Sequence, residues 1–492
     1  MDRLDIKDAI YHFARDRGDS RDQFSLTAFD SVDRAAPSFD EVVAHMEARA
    51  PLVPRLGLRL REAPLNLDYP RWVPDTSPLA ERMSDHDLGG APWAEFEALM
   101  GDLLRTRLDL REHSWHLHVV RGIGSAPLMQ GAVTVAILQV GHALTDGLGV
   151  SKMVRALFEP LSATGAAPPP ETEPEPEREN PVAGVLGAVV RAPVDLVRSR
   201  WEARRAIRAY QGTPPGPPSV PATSLNRAVG PYRVVRIVPM QMTEVRAGAA
   251  SVTVSALCAV GPCLDRYLGD GLEPLSETGG TVAAFVPMAL PRDVEWPAAN
   301  RAVVGTVDLH VGEPDLEKRA ELISRSLAVE RARVTAAPLL RVARADERVP
   351  APIVRFVQGR RFRKHDRSPS RVGAQTTVVS VDRGRADLEL CGAVARFSAG
   401  FPFLEDGRCL NHGFFGLGNG GDDRDGRLSR RSSGSRRVHT GIGRPTPPTL
   451  GAELDTSVGL PGTTSIWSGC GYSERRGMAG EGRCRAAAFR IR

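Results

Sequence analysis

The stretch of this chain best equipped for chemistry runs Gln139-Val-Gly-His-Ala-Leu-Thr-Asp-Gly-Leu-Gly-Val-Ser-Lys-Met-Val154. Its histidine, His142, carries the side chain whose ordinary pKa lets it take up and return a proton near neutrality, so it is the candidate general base. Asp146, four residues on, is near enough to fix the loop or to pair with an arginine. Such a pair would hold the histidine's backbone rather than polarise its ring. Gly147 and Gly149 offer the backbone freedom that a sharp turn needs. Histidine close to Asp and Gly is common, and spacing alone says little. Placement says more: a strand end on a rigid scaffold can aim an imidazole into a cleft.

The flanking sequence supplies that scaffold. Ala132 to Val140 is almost continuously apolar and partly β-branched, as expected of a strand buried on both faces. Val150, Val154 and Leu157 then recur at helical spacing. Upstream, Ser38-Phe39-Asp40-Glu41 reads as a capping box opening a helix with Phe39, Val42, Val43 and Met46 on one face. Phe96, Leu99, Met100, Leu103 and Leu104 mark a second helix from Trp93, and Ser114 to Val120 alternates as a strand. A second set begins at Tyr232, with strands expected at 234–238, 281–287, 376–381 and 393–397 and helices at 257–268 and from Asp315. Mixed elements in both halves indicate an α/β or α+β architecture.

A chain of 492 residues calls for at least two domains. Residues 163 to 181, rich in proline and glutamate, form the expected boundary. The domains are then 1–162, a linker and basic amphipathic helix at 163–228, a second domain at 229–420, and an irregular tail at 421–492. The segment Arg191 to Tyr210, arginine-rich around Val194, Val197, Trp201 and Ile207, reads either as a helix lying on an anionic membrane surface or as an interdomain helix with a solvated basic face.

Composition excludes several classes. The net charge of +5 is concentrated in the tail, which holds 13 Arg and 7 acidic residues, so the body is near neutral and gives no footing for a nucleic-acid backbone. The tail, without a single lysine, reads as a disordered basic extension or as the product of a shifted reading frame. No apolar run reaches the roughly 18 residues of a spanning helix, and the charged N-terminus has no signal segment. The six cysteines show no metal-ligand spacing and are expected as free thiols. His116 and His118 share a strand face, yet no third ligand is evident, so no metal is expected.

His142-x-x-x-Asp146-Gly147 resembles the HxxxDG signature of the coenzyme A-dependent acyltransferase superfamily. Together with Leu108 to Gly122 and Asp387 to Gly416, it resembles the bacterial wax ester synthase/diacylglycerol acyltransferase family in particular. That resemblance implies two chloramphenicol-acetyltransferase-like domains with an interdomain tunnel. It implies acyl-CoA as co-substrate with no permanently bound cofactor, and diacylglycerol or a long-chain alcohol as acceptor. It also implies a cytoplasmic protein held peripherally at the inner membrane face or on lipid droplets. His142 corresponds to the second histidine of the family's HHxxxDG. The first is Gly141 here, so a substrate-facing side chain is lost and weakened chemistry is expected. Ser380 is a candidate oxyanion donor from the second domain. The family's Asn-Asp pair falls at Thr253-Val254, and Pro262 lies inside the following helix. These departures leave one alternative, a degenerate member that binds acyl chains or lipid surfaces without turnover.

Overall fold

The computed structural model describes residues 3–13, 22–31, 35–127, 129–160, 181–210, 233–237, 251–268, 282–357, 376–385, 388–401 and 411–418. The expected boundary at 163–180 and the tail at 421–492 lie outside them. The elements are α1 (Ile6–Phe13), β1 (Asp22–Ser31), α2 (Phe39–Arg49), β2 (Leu58–Arg61), β3 (Arg71–Pro74), β4 (Met83–Pro92), α3 (Trp93–Leu103), β5 (Trp115–Ser125), β6 (Ala132–Gly141), α4 (Gly147–Phe158), α5 (Pro181–Arg208), α6 (Val252–Leu268), β7 (Ala283–Ala289), β8 (Ala302–Asp308), α7 (Leu316–Val334), α8 (Ala337–Ala345), β9 (Thr376–Arg385), β10 (Glu389–Leu390), β11 (Ala393–Phe401) and β12 (Asn411–Gly418).

Six strands form one sheet in the order β10-β11-β1-β6-β5-β4, and four form another in the order β12-β9-β7-β8. The first sheet is covered on both faces. Val42, Met46, Val150, Val154 and Leu157 from α2 and α4 pack on one side. Trp93, Phe96 and Met100 from α3 pack on the other against Phe24, Leu26 and Ile137. This double cover is why β6 is apolar at nearly every position. Each large side chain withdrawn from water there contributes roughly 1.5–3 kcal/mol. On the second sheet, Leu257 and Leu264 of α6 and Ile323 of α7 close a separate core over Val286, Met288 and Val307.

Most expected elements are present. Ser38 caps α2 with both halves of the capping box formed, and Asp315 caps α7. The mixed α/β character is as read. Two readings change. Residues 233–237 are not a strand: Val235 and Ile237 are buried beneath α3, and the Ile237 N–H donates to the Glu97 carboxylate at 2.7 Å instead of to a ladder. Cys263 is disulfide-bonded, against the expectation of free thiols throughout; the sequence spacing offered no pairing signal.

Chain crossing joins the halves. β11, from the C-terminal half, inserts beside β1 in the first sheet, with Phe24 opposite Phe401 and Thr27 opposite Ser398. β1 therefore lies centrally, flanked by β11 and β6.

Candidate active site

His142 follows the last residue of β6, in a turn that leads to α4. Side chains from three other elements clamp that turn through its carbonyl oxygens. The Asn300 amide donates to the His142 carbonyl at 2.8 Å, the Arg55 guanidinium to Leu144 at 2.9 Å, and the Gln23 amide to Thr145 at 2.6 Å. A turn held at three carbonyls has little freedom, and the imidazole it carries is positioned accordingly.

Asp146 bonds to backbone N–H groups and not to an arginine side chain. It is the N-cap of α4: one carboxylate oxygen accepts from the Gly149 N–H, and the other accepts from the backbone N–H of Arg301 at 2.9 Å. The Arg301 guanidinium points elsewhere, to the carbonyls of Pro291, Val294 and Trp296. Anchoring is thus to the 296–301 segment of the second half rather than to an arginine charge.

Gly147 is not the turn. It is the first residue of α4 and is absent from the positive-φ residues, so the bend is made by residues 142–144. Gly149 is required for space: a Cβ there would collide with the Thr145 side chain. Gly141 is buried at the end of β6, opposite Asp22, and a Cβ on it would collide with the Leu110 side chain. Leu110 thus stands against the position where a side chain at 141 would begin. Ser380 lies in β9, where its backbone is opposite Phe414 of β12; β9 approaches α4. Val254, one of the two residues at the expected Asn-Asp position, is buried in the α6 core, and Pro262 lies within α6.

His142 lines a small, shallow recess, partly open to solvent, with Tyr11, His12, Asp22, Arg107, Leu108, Leu110 and Ala143. The Tyr11 ring stacks on the imidazole, centroids 4.0 Å apart and planes within 7°. Asp22, buried at the recess wall, accepts from the Leu108 N–H at 2.9 Å and the Gln139 amide at 2.8 Å. Tyr11, Asp22 and Asn300 were not foreseen, since each comes from a segment with no motif of its own.

Behind Asn300 lies a buried carboxylate. Asp8 of α1 accepts from the Asn300 N–H and side-chain amide and from the Ala299 N–H, at 2.7 to 3.0 Å. Burial outweighs these bonds and pushes its pKa up to about 6.

A second polar group spans the sheet toward the recess. His118 contacts Gln139 at 3.0 Å on one side and Ser84 at 2.9 Å on the other, with His86 at 3.4 Å, while Ser84 also meets His116. Burial lowers the pKa of both His116 and His118 to about 4, so both are neutral at ordinary pH. Among the described residues no group of three His, Cys, Asp or Glu is arranged to hold a metal ion.

Residues 22–256 match the model of the wax ester synthase/diacylglycerol acyltransferase catalytic domain. A putative diacylglycerol O-acyltransferase of Mycobacterium tuberculosis strain H37Rv is 27% identical over 330 residues, covering 62% of this chain and 66% of that protein. A second, probable diacylglycerol O-acyltransferase of the same strain is 24% identical over 169 residues, 32% of this chain and 33% of the other. The solved wax ester synthase/diacylglycerol acyltransferase from Marinobacter aquaeolei VT8 superposes with a TM-score of 0.54 at 16% identity, covering 85% of this chain and 91% of that one, a likeness of fold. Over residues 22–256, just under half of its length, the chain is similar to the wax ester synthase/diacylglycerol acyltransferase family. It spans just under two thirds of the length of the first of these mycobacterial relatives.

Proposed function

We propose that the chain transfers a long-chain acyl group from acyl-CoA to the hydroxyl of diacylglycerol or of a long-chain alcohol, with His142 as general base. The observation that carries this reading is the clamped turn that presents a half-buried imidazole to a recess. In the proposed reaction the neutral imidazole removes the acceptor's hydroxyl proton as the oxygen attacks the thioester carbonyl. The tetrahedral intermediate collapses, the carbon–sulfur bond breaks, and the coenzyme A thiolate recovers the proton from the imidazolium. An oxyanion donor from the opposite wall is needed, and Ser380 is the candidate.

In this reading residues 1–162 and 229–420 are two acyltransferase-like domains, 163–228 joins them, and acyl-CoA and acceptor meet at the recess from opposite sides of an interdomain tunnel. Both substrates are amphiphilic or apolar, so the work belongs at the inner membrane face or a lipid droplet. No helix among the described residues is long and apolar enough to cross a membrane.

Purified protein given palmitoyl-CoA with dioleoylglycerol or hexadecanol is expected to release free thiol and form the ester, and His142→Ala to abolish both. Undiminished turnover in His142→Ala would overturn the base assignment.

A second reading, binding without turnover, is favoured by two observations. Tyr11 covers one face of the imidazole, and Leu110 stands against the space beside Gly141. Saturable palmitoyl-CoA binding with no thiol release across both acceptors would establish it.

A further inference from the structure

Helix α5 is amphipathic with its faces reversed. The residues it turns toward the protein are small or polar: Ser199 and Ala206 are 2% and 4% exposed. They lie on the side where α5 packs on α8 and the turn Asp346–Arg348. Its large apolar residues look outward. Val190, Val194, Val197 and Trp201 are 77%, 68%, 70% and 59% exposed. Their spacing of four, three and four residues places them in one stripe along the helix. At 3.6 residues per turn, Arg191, Arg198 and Arg205 fall along one border of that stripe and Arg200 and Arg204 along the other, while Arg208 ends the stripe in line with Val190. Asp195 and Glu202 are the only acidic residues of the helix, and Glu202 is engaged by Arg348 and Arg198. The Arg205 guanidinium lies over the Trp201 ring at 5.5 Å.

An apolar stripe left in water is unfavourable, and a stripe bordered by arginine on both sides matches one environment closely: acyl chains beneath a layer of negative headgroups. We propose that the outward face of α5 is a docking surface for an anionic lipid interface. Valine and tryptophan side chains enter the headgroup–acyl boundary, and the bordering arginines meet lipid phosphates. The surface is tied to the recess. Arg348 of the supporting turn pairs with Glu202, and its neighbour Glu347 accepts from Lys7 of α1 at 2.8 Å. α1 in turn carries Tyr11 and His12 into the recess. The inference deepens the function proposed above by naming where a lipid acceptor is met, but docking is measured without turnover, so the two stand or fall separately.

The test uses the full chain and extruded vesicles of phosphatidylcholine alone or with one third phosphatidylglycerol. Wild type is expected to cosediment with the phosphatidylglycerol vesicles at least tenfold more strongly than with phosphatidylcholine alone. That binding should weaken as sodium chloride rises from 0.05 to 0.5 M on the order of a Debye length's contraction. Val194→Asp/Trp201→Glu, which alters only exposed side chains, is expected to keep the wild-type melting temperature and lose at least tenfold of the binding. Arg200→Glu/Arg204→Glu should lose the preference for phosphatidylglycerol. Equal binding by wild type and Val194→Asp/Trp201→Glu would overturn the proposal, as would absence of wild-type binding to either vesicle. A wild-type dimer that the same double substitution turns into a monomer, with vesicle binding unchanged, would assign the face to a second copy and overturn it equally.

Discussion

Asn300 uses both hydrogens of its side-chain amide, one on the carboxylate of Asp8 and one on the backbone carbonyl of His142 at 2.8 Å. A residue of the second half thereby joins the first helix of the chain to the turn that bears the candidate base. Arg301, next in sequence, holds Asp146 by its backbone N–H, so the 300–301 pair secures both ends of the motif.

Replacing Asn300 with alanine leaves a buried carboxylate and a carbonyl short of a donor, which costs about 1–3 kcal/mol. Thiol release by Asn300→Ala is expected to fall about tenfold or more in kcat with KM for acyl-CoA nearly unchanged, because small displacements of a reacting group are expensive. Steady-state kinetics beside a thermal melt checks this; a lowered melting temperature with wild-type kcat would remove Asn300 from the positioning role.

Asp8 gives a pH signature. Its folded pKa of about 6 lies above the ordinary 3.8, so the folded state holds the proton more tightly, and stability falls as pH rises from about 4 to about 6 and is level beyond. A shift of this size corresponds to about 3 kcal/mol at 1.4 kcal/mol per pH unit. Urea titrations across that range should show Asp8→Asn gaining on wild type as pH rises.

His116 and His118 act in the opposite sense. Their folded pKa values, lowered to about 4 by burial, lie below the ordinary 6.5. The stability they contribute is therefore complete above about pH 6.5 and is lost as pH falls toward 4. His118→Gln is expected to flatten the acid side of the urea-midpoint profile, and an unchanged slope would show that the imidazole is not buried as described.

Restoring the missing first histidine requires the Leu110 side chain to move. Gly141→His drives a Cβ into Leu110, and overpacking of this kind costs about 1–3 kcal/mol. Gly141→His alone should lower the melting temperature, and Leu110→Ala added to it should recover part of the loss. Whether thiol release rises in the double variant, measured with palmitoyl-CoA, tests the contribution of a second imidazole.

Much of this was legible from local pattern. The capping box at Ser38 and the apolar run of β6 depend on neighbours within a few residues, and both are present. β1 was not legible. It is buried along its whole length, yet Asp22, Gln23, Ser25, Thr27, Asp30 and Ser31 disguise it, and the partners of Asp22 and Gln23, at Leu108, Gln139 and Thr145, lie on distant segments. Asn300 was hidden for the same reason, its contacts being 158 and 292 residues away. The absence of a side chain at 141 was visible, whereas Leu110 standing against its place needed coordinates. Gly147 was read as part of a sharp turn, and its place as the first residue of α4 shows how little glycine says without a dihedral angle.

The insertion of β11 beside β1 also bears on synthesis. Until residue 401 has left the ribosome, β1 has hydrogen-bonding partners on one edge only. For most of translation the nascent chain carries an open strand edge, the kind that recruits other chains. Fragments ending before β11 should aggregate where the longer chain does not.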